Sequence, residues 1–424
     1  MPDVWDTKRV IRASNRVWRK IDTGGRRSLA AIVTACIVLA AVVSAIVVAC
    51  SRDGDGRASS FEVRGEVPAT GAPFALALYQ SLGVQLRSGH EITMVSNGAV
   101  FDRIAEEIDR ARSSVHVLLF IWQKGAASDR VLHALTERAR AGVACRVLVD
   151  DVGSPGFDKD IRPALEAAGC EVRVFRRLPG AGDKLARNHR KVVVIDGRVA
   201  FTGGFGVRDE WLGDGVTAEG WRDTNVRFTG PAVAEAQQAI AENWQEAGGT
   251  LFPADAFPPP EATGSTSAVF LASTVSPVVT RAERLVQLMI QSAKKRLWIA
   301  NAYFVPPDVI LETMKSKAAS GVDVRLLVPG TKSDSTLSMG SQHLEYGSLV
   351  KGGVRVFEYQ PSMMHAKTML VDDEVSLVSS INLEPLSLSK SEEVALVVQD
   401  RAFAVQMAES FERDCSHARI VDAD

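Results

Sequence analysis

An internal repeat constrains this fold more than any other feature of the chain. His189 opens the segment HRKVVVIDGRVAFTGG, and His365 opens HAKTMLVDDEVSLVSS. Upstream, RARAGVACRVLVD is echoed by KAASGVDVRLLVP. The order of elements repeats with them. In the first copy, Ile104–Arg112 predicts an amphipathic helix and Val115–Trp122 a buried strand. LHALTERARAGV then predicts a helix, CRVLVD a strand, IRPALEAAG a helix and CEVRVF a strand. A strand pair follows, with its turn at Asp196-Gly197. The second copy runs AERLVQLMIQSAKK, RLWIANAYF, VILETMKSKAASGV, VRLLVP, HLEYGSLVKGG, VRVFEY and a second strand pair. Strands alternating with helices predict an α/β fold, mostly parallel, with right-handed crossovers. Duplication of the unit predicts two mixed-sheet lobes flanked by helices and related by pseudo-two-fold symmetry.

Ahead of the repeat, Ser28–Cys50 carries no charge over 23 residues, long enough to cross a bilayer as one N-terminal transmembrane helix. Eight basic residues between Lys8 and Arg27 precede it. The positive-inside rule then puts the N-terminus in the cytoplasm and the rest outside. In a bacterium this predicts a single-pass inner-membrane protein with a periplasmic domain. Val47–Cys50 also resembles a lipoprotein cleavage box, which would place a lipid on Cys50. The expected map is a basic tail over 1–27, a membrane helix over 28–50 and a linker over 51–88. The first lobe spans 89–252, a Pro-rich linker 253–266 and the second lobe 267–424.

The 424 residues carry 49 basic and 51 acidic side chains, for a net charge of −2. That near-neutral balance speaks against a nucleic-acid partner. The five cysteines show no CxxC pair and no zinc-like spacing, so no metal site is expected. Cys145 and Cys170 read as two small buried core residues; a disulfide is the alternative if the domain lies outside the cytoplasm.

The chemistry is carried by His189-x-Lys191-x4-Asp196 and His365-x-Lys367-x4-Asp372. In a strand, His and Lys at i and i+2 project to one face. The Asp lies at the far end, where only the tertiary fold could return it to a histidine. Lysine charge suits the phosphoryl oxygens of a transition state. One neutral imidazole can attack phosphorus, while a second protonates the leaving alcohol and deprotonates the incoming one. The two copies together supply both roles if the lobes bring them face to face. No cofactor is needed.

These motifs, their spacing and the repeated lobes resemble the phospholipase D superfamily from about Gly89 to Phe411. More narrowly the chain is similar to bacterial cardiolipin synthases, with AYFVPP (Ala302–Pro307) and WRDTNVRFTGPAV (Trp221–Val233) as the matching segments. The resemblance implies that His189 is the nucleophile and His365 the general acid/base, with Lys191 and Lys367 on the phosphate. It implies Thr202, Gly203 and Gly204 and Ser380, Ile381 and Asn382 lining the pocket. Asp223 and Glu393 would stand behind the histidines, fixing their tautomer. Two positions depart from the pattern: Gly206 where the family has Asn, and Ser379 where it commonly has Gly. The expected substrates are membrane phospholipids, with phosphatidylglycerol as donor and an alcohol as acceptor. A hydrolase releasing phosphatidic acid uses the same residues. A superfamily nuclease would need a basic groove, and a non-catalytic lipid binder would need neither histidine. Trp122, Tyr303 and Phe304 suit a lipid groove and core packing equally well. His343 reads as a surface residue, and His90, His116, His133 and His417 as structural or exposed.

Overall fold

The computed structural model describes residues 61–68, 70–177 and 186–422. The apolar segment 28–50, its basic flank and Cys50 lie outside the described residues. No described helix is long and apolar enough to cross a membrane.

Among the described residues, sixteen strands form one sheet. Those of the first half are β1 (Arg87–Ser96), β2 (Ser114–Leu119), β3 (Ala144–Asp150), β4 (Glu171–Phe175), β5 (Arg187–Asn188), β6 (Val192–Ile195), β7 (Val199–Gly203) and β8 (Thr224–Thr229). The second half contributes β9 (Thr266–Ser273), β10 (Arg296–Ala300), β11 (Asp323–Pro329), β12 (Arg355–Tyr359), β13 (Thr368–Val371), β14 (Val375–Ser379), β15 (Ser391–Gln399) and β16 (Ala418–Ile420). From the centre outward one side of the sheet reads β1-β8-β7-β6-β2-β3-β4, and the other reads β9-β15-β14-β13-β10-β11-β12. The two sides meet where β1 pairs antiparallel with β9. The crossover strands toward each edge of the sheet are parallel, as β2–β3–β4 and β10–β11–β12. The motif hairpins β6–β7 and β13–β14, and β8 and β15 beyond them, are antiparallel. The sheet is therefore mixed, as expected of the lobes, while the expectation of mostly parallel strands fails. The reason is that each repeat spends half its strands on hairpins, which need no helical crossover.

Alternation along each strand divides the core. In β6, Val193 and Ile195 face the first half's helices α2 (Ala99–Asp109) and α3 (Ala126–Arg140). Val192 and Val194 of the same strand face the opposite side, where both halves share one cluster with α6 (Val233–Glu246) and α10 (Arg401–Ser416). The short helices α4 (Phe157–Asp160) and α5 (Arg162–Ala167) precede β4. Helices α7 (Arg281–Ser292), α8 (Asp308–Ala319) and α9 (Thr336–Lys351) belong to the second half. Joining them is α1 (Gly71–Leu82), which buries Phe74, Leu78 and Leu82 in the second half's core together with Val63 and Val67. The described part of the stretch expected as linker thus belongs to the fold, because its apolar residues complete a core distant in sequence. Likewise Thr263 of the Pro-rich segment donates its amide to Gly89 O at 2.9 Å, tying it to the sheet.

Cys145 and Cys170 form a disulfide, with Cα atoms 4.6 Å apart. This corrects the expectation of two separate buried thiols. Parallel pairing of β3 with β4 sets Arg146 opposite Glu171, so the residues just before them become neighbours.

Candidate active site

Each motif enters the site by pairing with the other half of the chain. β5, immediately before His189, runs parallel to the start of β15, and the His189 amide donates to Glu392 O at 2.9 Å. Correspondingly, the His365 amide donates to Arg222 O at 2.7 Å, and the Arg222 amide to Met363 O at 2.8 Å. The next residue along each borrowed strand is the carboxylate. His189 Nδ1 lies 3.0 and 3.1 Å from the two Glu393 oxygens, and His365 Nδ1 lies 3.1 Å from Asp223 Oδ2. Each histidine is thus oriented at Nδ1 by a carboxylate from the opposite half, and Lys367 Nζ lies 3.1 Å from both ring nitrogens of His365.

Both carboxylates are fully buried and held from several sides. Asp223 accepts from Trp211 Nε1 at 2.8 Å and from the Thr224 amide at 2.8 Å. Glu393 accepts from the hydroxyls of Ser380 and Ser387. Ser387 is further fixed because its Oγ accepts the Asn382 amide at 2.8 Å and its own amide donates to Glu384 at 2.9 Å. Burial pushes the Glu384 carboxyl up to about 7.

Lys191 and Lys367 are buried beside their histidines. Their ammonium groups donate to the backbone oxygens of His189 at 2.6 Å and His365 at 2.7 Å. Burial lowers Lys191 to about 7 and Lys367 to about 8, with Glu393 and Asp223 respectively opposing the shift. Burial also lowers both histidines, His365 down to about 3, helped by the Lys367 charge; for His189, Glu393 opposes the shift. Each histidine also feels the lysine of the other half. All four groups therefore share one electrostatic environment, with imidazoles neutral and ready to attack or accept a proton.

The pocket walls differ between the two sides. His365 stands edge-on to Trp211, with ring centres 4.9 Å apart, and near Trp221 at 5.1 Å and Tyr303 at 6.3 Å. Among the described residues, His189 meets only the edge of Phe120 among aromatic rings, at 5.1 Å. The Tyr303 hydroxyl donates to Asp334 at 2.8 Å. Trp122 and Phe304 are fully buried, so these two are core packing while Tyr303 belongs to the site.

The remaining expected site residues fall into distinct roles. Gly204 passes so close to Asp223 that a Cβ there would lie 2.5 Å from Oδ1, and Gly203 crowds Asn225 in the same way. The glycine pair thus lets the chain pack against the orienting carboxylate. Thr202 does not line the pocket: its buried hydroxyl donates to Lys191 O at 2.9 Å and braces the motif strand. Ser380 holds Glu393, as noted. The Asn382 side-chain amide makes no hydrogen bond among the described residues, and its Oδ1 is buried without a partner. It therefore remains available to a ligand. The matching position, Gly206, is packed against Ile121 and Trp211, so no side chain fits there.

Asp196 and Asp372 do not join the reacting groups, contrary to their expected catalytic role. Asp196 accepts from the amides of Arg112, Ser113 and Ser114 at 2.7–3.1 Å, and Asp372 from those of Lys294, Lys295 and Arg296 at 2.8–3.1 Å. Each stands at the hairpin turn with φ 53° and ties it to the entry of the neighbouring strand. The sequence reading missed Trp211, Ser387, Phe120 and Glu384. Trp211 had one usable signal, its position between the Gly pair and Asp223. The others carry no motif. Among the described residues no cluster could hold a metal ion. His343 is exposed and pairs with Glu358 at 2.9 Å, while His90 and His116 are buried structural residues.

Two histidines with crossed carboxylates and two lysines, on a mixed sheet, define a class of phosphoryl-transfer site. The family model described as "Cardiolipin synthase, PLD-like domain" matches residues 104–242 and 286–415. Cardiolipin synthase A of a Pseudomonas putida strain is 33% identical over 344 residues, covering 80% of this chain and 71% of that protein. Cardiolipin synthase A of Pseudomonas fluorescens SBW25 is 36% identical over 76% of this chain and 67% of its own length. Among solved structures, phosphatidylserine synthase of Haemophilus influenzae Rd KW20 superposes with a TM-score of 0.63 at 15% identity. It covers 82% of this chain and 91% of that one. Polyphosphate kinase of Porphyromonas gingivalis superposes at 0.52 and 14% identity, covering 78% and 49%. The chain belongs to the cardiolipin synthase-like branch of the phospholipase D superfamily and is a phosphatidyltransferase-class enzyme.

Proposed function

We propose that this protein transfers the phosphatidyl group of one phosphatidylglycerol molecule to the free hydroxyl of another, giving cardiolipin and glycerol. The observation that carries the reading is the crossed arrangement in which Glu393 orients His189 and Asp223 orients His365. His189 Nε2 attacks the donor phosphorus, and the cation that forms on its ring is stabilised by Glu393. Lys191, Lys367 and the Asn382 amide hold the phosphoryl oxygens. Asp223 and the bound anionic phosphate favour the imidazolium of His365, which gives its Nε2 proton to the departing glycerol and then, as the neutral base, takes the proton of the incoming hydroxyl as that oxygen attacks phosphorus. The lobes arose by duplication, a reading supported by the matching strand order on the two sides of the sheet. Residues 28–50 anchor the chain in a bacterial inner membrane with the catalytic domain outside the cytoplasm. The Cys145–Cys170 disulfide supports that placement, since such bonds persist in oxidising compartments.

The test is product analysis of the full chain in mixed micelles with labelled phosphatidylglycerol. The reading expects cardiolipin and glycerol from the wild type and neither from His189→Ala. Phosphatidic acid as the main product would replace it with hydrolysis. An introduced cysteine in the catalytic domain that reacts with an impermeant reagent in intact cells would support the outward orientation; protection would refute it.

A further inference from the structure

Arg208 sits on the His365 side of the site and has no part in the chemistry described above. Its guanidinium carbon lies 5.1 Å from the Trp221 ring centre and 5.5 Å from that of Trp211, the two rings that flank His365. Its charge also acts on the Tyr303 phenol, on the third wall of the same space. The side chain is about three-quarters buried, and its one ionic partner among the described residues is Glu210, whose carboxylate reaches Nε at 2.7 Å. That contact is poorly aligned as a hydrogen bond, and the terminal Nη groups have no partner among the described residues. Glu210 is itself nearly half exposed, so its carboxylate can yield to a competing anion. A guanidinium stacked on aromatic walls, with its fork unoccupied, suits a phosphate diester.

We propose that Arg208 binds the phosphate of the acceptor lipid, making the site selective for an anionic phospholipid alcohol over a neutral one. The inference rests on the phosphatidyl-transfer reading and deepens it. The donor phosphate occupies Lys191 and Lys367, so a second phosphate needs its own cation. In a phosphatidylglycerol acceptor, only the three-carbon headgroup separates that phosphate from the reacting hydroxyl. Anchoring it at Arg208 holds the hydroxyl beside His365. In the transfer step the hydroxyl oxygen bonds to phosphorus as the P–Nε2 bond of phospho-His189 breaks. The bond's electron pair returns to the imidazole, and the hydroxyl proton passes to His365. On the neutral side of the partition, a simple alcohol reacts by the same step without any use for Arg208.

The experiment gives the full chain labelled phosphatidylglycerol in micelles with 1-butanol present, and reads the ratio of cardiolipin to phosphatidylbutanol. Both products come from one intermediate, so the ratio isolates the acceptor. Loss of a hydrogen-bonded charge predicts that Arg208→Gln lowers the ratio roughly tenfold to a hundredfold, and that Arg208→Lys restores part of it. A ratio unchanged in Arg208→Gln overturns the proposal, whether the two products fall together or not at all. So does a fall that Arg208→Lys fails to repair, since that would mark lost packing against the tryptophans. A wild type that yields neither transfer product would instead remove the underlying phosphatidyl-transfer reading.

Discussion

Replacing Glu393 by Gln tests whether the crossed carboxylate drives formation of the covalent intermediate. Glu393 is fully buried, faces His189 Nδ1 at 3.0 and 3.1 Å, and accepts two serine hydroxyls. Glutamine fills the same volume but offers one acceptor oxygen and no charge. The ring becomes cationic when Nε2 takes the phosphoryl group, so the carboxylate is worth more in the intermediate than in the resting site. A hydrogen bond to a charged group contributes about 1.5–3 kcal/mol, which is roughly a 10- to 150-fold loss in rate. Coulomb's law at this separation, with an effective dielectric near 20, gives about 5 kcal/mol and an upper bound of roughly 10⁴-fold. The assay is rapid-quench measurement of labelled phosphohistidine over a single turnover, with the melting temperature of each variant as the control. The expected result is slower formation by at least about tenfold at unchanged melting temperature. A loss below about threefold, or one confined to KM, would refute the reasoning, because an orienting charge must act on the chemical step.

Other perturbations separate charge, scaffold and staple. Lys191 and Lys367, lowered by burial to about 7 and about 8, lose their charge as pH rises through that window in the empty site. kcat/KM, which reports the free enzyme, should therefore fall on the alkaline side, while the kcat profile extends further because bound phosphate restores both charges; a flat kcat/KM between about pH 6 and 9 refutes this. Asp196→Asn removes an anionic acceptor from three strand-entry amides and should cost about 2–4 kcal/mol of stability, seen in the denaturant midpoint, with kcat per folded molecule within about threefold of wild type. A catalytic aspartate would show the opposite pattern. Cys145→Ser with Cys170→Ser opens a loop closed across 25 residues, for which chain entropy gives about 3.5 kcal/mol; the melting temperature should fall by several degrees without a change in product pattern.

The local content of the sequence predicted the site well wherever a periodic signal existed. His–Lys at i and i+2 lie before strands that are apolar on both faces, and the structure buries both β6 and β13 completely. Partnerships across the chain were harder to read. Nothing local in SKSEE says that Glu393 will reach His189, 204 residues away, because the contact depends on β5 joining β15. The motif aspartates misled for a related reason. A carboxylate repeated at one spacing from a histidine suggests chemistry, yet a left-handed turn residue that gathers three amides needs the same spacing. The Cys145–Cys170 bridge stood only as the alternative to two buried thiols, since it requires the parallel register of β3 and β4 rather than the apolar character of either cysteine.

The crossed pairing also explains how a site built from two like halves handles unlike substrates. Around the phosphorus the demands are nearly symmetric, and so are the residues: His189 with Lys191 and Glu393, His365 with Lys367 and Asp223. Away from the phosphorus the demands diverge, and the symmetry ends there. On one side Asn382 keeps a free amide, whereas on the other its counterpart Gly206 gives way to Ile121 and Trp211. Trp211 is the hinge of that difference. It fills the space an Asn would need, donates to Asp223, and walls His365 together with Trp221. One indole thus couples the carboxylate that orients His365 to the shape of the wall beside that ring. On the proposed reading, divergence in the walls would change which alcohol enters and leave the two imidazoles as they are.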